Sequence, residues 1–418
     1  MKKRFKAAAV LLTAAVFLCG CQTADNLNVS STEESSDGDF EVKGYLYTYS
    51  IGISAYFLIV TNNSDATVSV SGTAAAKDAD GNAVCEATLT KISVLAPGET
   101  SVGSFFFSDA PDIDEVEYDL SYAEETRYKP VIGALSVEQY LNDHNVVLSV
   151  TNNGGIAARF VKAYAFFFDA DNNILDYDET FVTDIDYEIK PRASLTAQLN
   201  FEGDSYDRVE VYFTGSNSGS SIFSTEKADV SDVDFEIKEY LYEYHEYSGG
   251  SVYYLIVTNN SAETVSFFAN GTAKDANGNI IGAADADITV LGPGETSVGY
   301  LYFSGVTGVE TVEYQAAYGA ETNFAPVVGS LSLDVSVNAD NAIVSVTNNG
   351  DIAARYVEAY AVFLAADNTV ISVVNKYLVD DDYEIKPGGT LSEQLDCPSG
   401  FDRVEVYLTG NGINEQDG

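Results

Sequence analysis

The sequence predicts an all-β protein, built of tandem immunoglobulin-like antiparallel β-sandwiches as an internal duplication of a two-module unit. Three observations carry this. Apolar residues alternate with period two along much of the chain, and no capped 3.6-residue apolar period is sustained. Clusters of Asn, Asp, Gly and Pro interrupt the alternation at short intervals. Long segments also recur at an offset of 195–197 residues, as expected of a repeat architecture.

The duplication is read directly. F-E-V-K-G-Y-L-Y-T-Y from Phe40 matches F-E-I-K-E-Y-L-Y-E-Y from Phe235, and P-G-E-T-S-V-G occurs at 97–103 and 293–299. I-A-A-R-F-V at 156–161 matches I-A-A-R-Y-V at 352–357, and D-R-V-E-V-Y-F-T-G at 207–215 matches D-R-V-E-V-Y-L-T-G at 402–410. Each copy divides again, because T-N-N stands at 61–63, 151–153, 258–260 and 347–349. Four modules result, 40–125, 130–215, 235–320 and 326–410, each long enough for a small sandwich core. A Ser/Gly/Asp-rich linker over 216–234 separates the copies, and 411–418 is expected to be a disordered tail.

Individual strands follow from alternation. In Phe160–Phe168, Val161, Ala163, Ala165 and Phe167 share one face, and Phe160, Lys162, Tyr164, Phe166 and Phe168 the other. Val209, Val211 and Phe213 alternate with Glu210 and Tyr212, which predicts a half-buried strand. D-A-D-G-N at 78–82 and D-A-N-G-N at 275–279 are expected hairpin turns. A-P-G-E and G-P-G-E precede a strand in modules one and three, and K-P-R-A and K-P-G-G take that place in modules two and four. Asn62-Asn63-Ser64 reads as a turn in which Asn tolerates left-handed backbone.

The N-terminus has a different character. Lys2, Lys3, Arg4 and Lys6 precede an apolar run from Ala7 to Leu18, too short to span a bilayer comfortably. The run ends in Leu18-Cys19-Gly20-Cys21, which resembles the lipobox of bacterial lipoprotein signal peptides. The resemblance implies that 1–20 is removed and that Cys21 becomes the lipid-attachment residue, its sulfur carrying diacylglycerol. Polar, acidic residues complete 21–39, expected to be a disordered tether. The expected location is the extracytoplasmic face of the cell membrane, with the membrane itself a partner through the anchor.

Charge narrows the partners. There are 21 Lys+Arg against 64 Asp+Glu, a formal −43, and −47 without the leader's basic residues. Such a chain repels nucleic acid and anionic surfaces. Cys85 and Cys397 fall in different modules and are expected to be buried free thiols, too few for a disulfide framework or a zinc site.

Candidate chemistry is sparse. His144 aligns with Asp340 and His245 with Ser50, so the duplication keeps neither. No G-x-S-x-G, P-loop or H-E-x-x-H occurs. Asp78, Asp80 and Asn82 begin like a calcium loop, D-x-[DN]-x-[DN]-G, but Gly81 sits at loop position 4 instead of 6 and Leu89 stands at position 12. They are weak metal candidates beside a plain hairpin. Tyr45, Tyr47 and Tyr49 line one strand face, as Tyr240, Tyr242 and Tyr244 do in the second copy. Such a stripe suits a sugar or protein ligand, or packing within the sandwich or against the neighbouring module.

The N-N-G or N-N-S turn, the strand ending in D-A-D-x-N and the P-G-E turn together resemble the FxLYD-type sandwich domains of bacterial surface lipoproteins. Ala163–Ile174 with Lys190–Leu195, and Thr73–Val84 with Leu95–Val102, carry the likeness. Ala165-Phe166-Phe167-Phe168-Asp169 approximates the family's aromatic–x–Leu–Tyr–Asp string, whereas module one has Ala75-Ala76-Lys77-Asp78 and module four Ala365-Ala366-Asp367. The resemblance implies a non-catalytic envelope module. The expected function is therefore a lipid-anchored surface protein without cofactor or catalytic residues, acting in binding, adhesion or as a spacer, with a surface protein or glycan as partner. The alternatives are an envelope hydrolase using a carboxylate pair between modules and a calcium-stabilised rod.

Overall fold

The computed structural model describes residues 3–10, 34–36, 38–49, 53–108, 113–183, 187–217, 228–229, 234–244, 249–397 and 400–413. It is all-β, and backbone contacts divide it into two units, Met1–Ile222 and Phe223–Gly418, at a point inside the expected linker.

In the first unit, Phe40–Thr48, Ile53–Asn62 and Thr100–Ser108 form one antiparallel sheet of module one. Val68–Lys77, Ala83–Thr88, Ile92–Leu95 and Glu115–Glu124 form the other. Val42, Leu46, Leu58 and Phe105 meet Val70, Ala76, Val116 and Leu120 between them. In module two, Leu135–Asn142, Asn145–Asn152 and Ser194–Asn200 face a sheet of Ala158–Phe168, Ile174–Phe181, Glu188–Ile189 and Arg208–Ser216. The second unit repeats both sandwiches, with cores around Leu255, Phe267 and Leu301 and around Val344, Ala361 and Phe363.

The Ile53–Asn62 strand is apolar on both sides for a reason. Tyr56, Leu58 and Val60 enter the module-one core, while Ala55, Phe57 and Ile59 pack against module two. A strand without a solvent face loses the polar half of its alternation. The Ala158–Phe168 strand is its counterpart. Val161, Ala163, Ala165 and Phe167 fill the module-two core, and Tyr164, Phe166 and Phe168 complete the seam between modules.

Each T-N-N segment contributes a buried staple. Asn62, Asn152, Asn259 and Asn348 are at most 1% exposed. The amide of Asn348 donates to Ile352 O and Ile385 O, both at 2.8 Å, and its Oδ1 accepts from Gly350 N at 2.9 Å. The other three make the same pattern, Asn62 to Ala66 and Leu95, Asn152 to Ile156 and Ile189, Asn259 to Glu263 and Leu291. Each ties its strand end to the strand crossing from the opposite sheet. Asn62 and Asn63 are not in left-handed backbone, so the expectation of a φ-tolerant turn is corrected. The amide is retained for what it bridges.

A buried carboxylate fixes the joint between modules. Glu99, 9% exposed, accepts from Ala96 N at 2.8 Å with one oxygen and from Gly133 N at 2.7 Å with the other. Gly133 lies in the 3-10 turn Ile132–Ala134 that opens module two. Glu295 repeats the bridge to Gly292 N and Gly329 N at 2.7 and 2.6 Å.

Three segments expected to lie outside the fold pair as strands. Lys3–Val10 of the expected leader pairs with Glu115–Glu124, from Lys3 opposite Tyr122 to Val10 opposite Glu115. Glu34–Ser36 of the tether pairs with Phe40–Thr48, and Ala228–Asp229 of the linker with Tyr318 and Ala317. The last strand, Arg403–Ile413, also runs past 410 into the expected tail. A sheet edge offers unpaired N–H and C=O groups that any extended backbone can satisfy, so a polar composition does not forbid pairing.

Replacing Asn348 by Ala leaves two buried carbonyls and one N–H without their partner. We expect a loss of about 2–4 kcal/mol in denaturant unfolding, against less than about 0.5 kcal/mol for the exposed neighbour Asn349→Ala.

Candidate functional site

The tyrosine stripes of the sequence lie in the seams. Tyr45 is fully buried against Phe166 and Phe168, and Tyr47 and Tyr49 lie against Tyr177. The second unit places Tyr240, Tyr242 and Tyr244 in the equivalent cluster with Tyr254, Tyr360 and Val362. Packing against the neighbouring module accounts for the stripe.

One carboxylate stands in each seam. Glu210 Oε2 accepts from Tyr45 Oη at 2.6 Å, Tyr212 Oη at 2.7 Å and Lys43 Nζ at 3.0 Å, and Arg208 pairs with the other oxygen. Glu405 is bound by Tyr240, Tyr407 and Lys238, each at 2.5 Å, and by Arg403 at 3.1 Å. Burial pushes the Glu210 carboxyl up, but the tyrosine and lysine hydrogen bonds and the Lys43 charge outweigh it and hold the group at about 2. Glu405 is held at about 2 by the same balance. Burial and the Glu210 hydrogen bond push the Tyr45 hydroxyl up, so it stays a donor. These are cross-module ties, arranged to hold a proton on tyrosine and none on the carboxylate.

The loop over 78–82 is closed on itself. Asp78 Oδ1 accepts from Asp80 N at 3.0 Å and Asn82 N at 2.8 Å, and Asn82 Nδ2 also reaches the carboxylate. Hydrogen bonds from Asn82 hold the Asp78 carboxyl below its ordinary value. Asp169 and Asp275 close their loops the same way. Among the described residues no group of three or more His, Cys, Asp or Glu converges as metal ligands would. His144 Nδ1 contacts Gly203 O at 3.2 Å on the surface. Cys397 is buried, while Cys85 is only half-buried, a correction to the expectation for that thiol. It stands on the short strand Ala83–Thr88, whose burial pattern leaves its side chains largely outside the sandwich. Cys21 and His245 lie outside the described residues.

A surface feature escaped the sequence reading. Phe160 and Tyr356 have φ of 50° and 49°, and Tyr187 and Tyr383 have φ of 58° and 61°. Left-handed backbone at a bulky residue costs of order 1–3 kcal/mol. The strained residues pair, Phe160 N donating to Tyr187 O at 2.8 Å and Tyr356 N to Tyr383 O at 3.1 Å. Their rings lie 5.7 Å and 6.2 Å apart. Both sit where the register shifts in the first strand of the sheet, between Arg159 and Lys162 and between Arg355 and Glu358. A bulge of this kind re-aims side chains. Phe181 and Tyr187 are 46% and 43% exposed, and Tyr356, Tyr377 and Tyr383 53–61%. An aromatic rim therefore stands open on module two and again on module four. Only the equal aromatic content of these positions in both copies could have signalled it.

Folded Glu210 and Glu405 hold no proton until about pH 2, whereas an unfolded glutamate takes one near 4.5. Their contribution is complete above about pH 4.5 and is lost as pH falls toward 2. The Glu210→Gln/Glu405→Gln variant should unfold more easily than wild type at pH 7, by about 2 kcal/mol per site, and urea titrations should show this gap closing across that acid range. Asp78→Asn/Asp80→Asn should shift melting by less than about 0.5 kcal/mol. Calcium should stabilise the wild type no more than magnesium does at equal concentration, whereas a bound calcium at 100 times its dissociation constant would contribute about 2.7 kcal/mol.

No family model matches the chain, and no curated protein is similar to it. Among solved structures it is similar to a Salmonella alpha-2-macroglobulin, the mutant Y1175G, at 12% identity and a TM-score of 0.13. That alignment covers 93% of this chain and 30% of the macroglobulin.

Proposed function

We propose that this chain is a lipid-anchored bacterial surface protein that binds a partner without catalysing a reaction. Its sandwiches are rigid presenting modules. The observation that carries the binding reading is the aromatic rim that modules two and four share. Phe160, Tyr187, Tyr356 and Tyr383 of that rim are held at a cost in backbone strain, which packing alone does not require. Tyrosine suits such a rim because its flat apolar ring and polar tip engage sugars and protein surfaces alike. A surface protein or a glycan is the partner class, and the acidity disfavours nucleic acid.

The anchor rests on the sequence at Lys2–Cys21. Among the described residues no helix is long and apolar enough to cross a membrane. Acyl chains on Cys21 would hold the protein at the extracytoplasmic face, since two or more chains anchor stably where one does not. Removal of the leader would uncover the edge that Lys3–Val10 occupies on Glu115–Glu124.

Cys21→Ala should move the protein from the membrane fraction to the soluble fraction and abolish labelling by a fatty-acid analogue. Salt-resistant membrane recovery of the unlabelled variant would contradict the anchor.

A further inference from the structure

The two units differ in charge at one corner of the seam, and the difference has a direction. In the first unit Lys162 lies directly across the sheet from Phe181. Its ammonium stands 5.3 Å from the centre of the Phe181 ring and 5.4 Å from that of Tyr164, and it pairs with Glu179. Nearby, Lys91 and Tyr164 line one pocket. Residues 196 positions later occupy the same places in the second unit. There Lys162 becomes Glu358, Glu179 becomes Asn375, Lys91 becomes Asp287, Phe181 becomes Tyr377 and Ser104 becomes Tyr300. Two cations have become anions, and two tyrosines have been added around them.

The result is a buried anion with no cation of its own. Glu358 is 7% exposed and lies directly opposite Tyr377. It accepts hydrogen bonds from Tyr360 Oη at 2.7 Å and from Asn375 Nδ2, both neutral donors. Among the described residues no lysine, arginine or histidine pairs with Glu358 or with Asp287. The rings beside it are open, Tyr300 at 46% and Tyr377 at 58% exposure. The Glu358 charge, more than burial, pushes the Tyr377 hydroxyl up. Burial and then the charges of Glu358, Tyr377 and Asp287 do the same at Tyr300, so both carboxylates act at that ring. Tyr300 continues through Tyr254, 6.1 Å away, to Tyr360 at a further 6.2 Å.

We propose that this corner of the second unit binds an organic cation, an ammonium or guanidinium group, beside Glu358 and against the rings of Tyr300 and Tyr377. The first unit contains the ligand group in its own chain, in Lys162. The second unit has given up that lysine, kept the aromatic walls and added negative charge. Ring faces attract a cation, and the attraction grows as the site is desolvated. A calcium or magnesium ion would need six or more oxygens, and two carboxylates among tyrosines do not supply them. The acidic chain steers a cationic ligand in and excludes an anionic one. Free polyamines and the Lys or Arg side chains of a basic protein share the required chemistry. The inference deepens the binding reading above and is independent of the Cys21 anchor, so either can fail without the other.

The test is calorimetric titration of the purified full chain with spermine, and with a soluble lysine-rich peptide of equal charge, in 150 mM salt. Magnesium at matched ionic strength controls for diffuse attraction by the acidic surface. We expect saturable binding, weakened about tenfold in Glu358→Gln and in Tyr300→Ser, and abolished in Glu358→Lys/Asn375→Glu, which reinstates the lysine–glutamate pair of the first unit. Tyr300→Ser installs the residue of the first unit at a half-exposed position, so it reports even where a Glu358 variant fails to fold. Stronger binding of the peptide than of spermine assigns the cation to a protein partner, and the reverse assigns it to a polyamine. Equal affinity in wild type and Tyr300→Ser, or complete displacement of both probes by magnesium, would overturn the proposal.

Discussion

The structure depends on two central strands in each unit that are covered on both faces along most of their length. The Ile53–Asn62 strand is covered on one side by its own sandwich and on the other by the next module. The Ala158–Phe168 strand is covered likewise from the opposite direction. Apolar area is thus removed from water twice by the same backbone, which a module of about 85 residues could not achieve alone. The arrangement makes the pair the natural unit of stability, and it confines any polar group in the seam to positions where donors meet it. Glu210 and Glu405 satisfy that condition with tyrosine hydroxyls and a lysine from the facing module.

Within this frame two polar devices do different work. The buried asparagine occurs in all four modules, because each sandwich must close its own strand ends. The glutamate that bridges to the next module stands in modules one and three, as Glu99 and Glu295. Ala193 and Gly389 take its place in two and four, accepting from the asparagine N–H as Glu99 and Glu295 do. Within each unit the later module has no further sandwich to hold. The difference between P-G-E and K-P-R-A or K-P-G-G is therefore a difference between the first and the second module of a unit.

Much of this was legible in the sequence. Alternation in Phe160–Phe168 and in Val209–Phe213 gave the correct two faces, because a pleated strand alternates whatever it packs against. Which face meets which neighbour was not legible, since Tyr164 and Val161 are equally compatible with core and seam. The asparagine was recognised as a repeated turn residue, but its bonds to Leu95 and Ile189 span more than thirty residues and leave no local mark. Strand pairing by Glu34–Ser36 and Ala228–Asp229 depends on an open edge elsewhere in the fold, so polar composition misled. The rim at Phe160 and Tyr187 was hidden for a similar reason, because nothing in an aromatic residue announces left-handed backbone. The corner at Glu358 was hidden by the matching itself, which rewards identities and passes over the positions where the copies diverge.

Near-identity of the two seams also has a kinetic side. Lys43, Tyr45 and Glu210 of one seam have the same chemistry as Lys238, Tyr240 and Glu405 of the other. During folding, module one therefore meets two surfaces that offer it the same ties, that of module two and that of module four. Tandem repeats are prone to this kind of misassembly. What separates the outcomes is tether length. The short segment between modules one and two holds the correct partner at an effective concentration of order millimolar, and Glu99 secures it once Gly133 arrives. The competing surface begins beyond a second module and a long linker. Order of synthesis adds to the bias, because module two emerges well before module four. Fidelity in this chain is set less by the chemistry of the interfaces than by the brevity of the segments that join them.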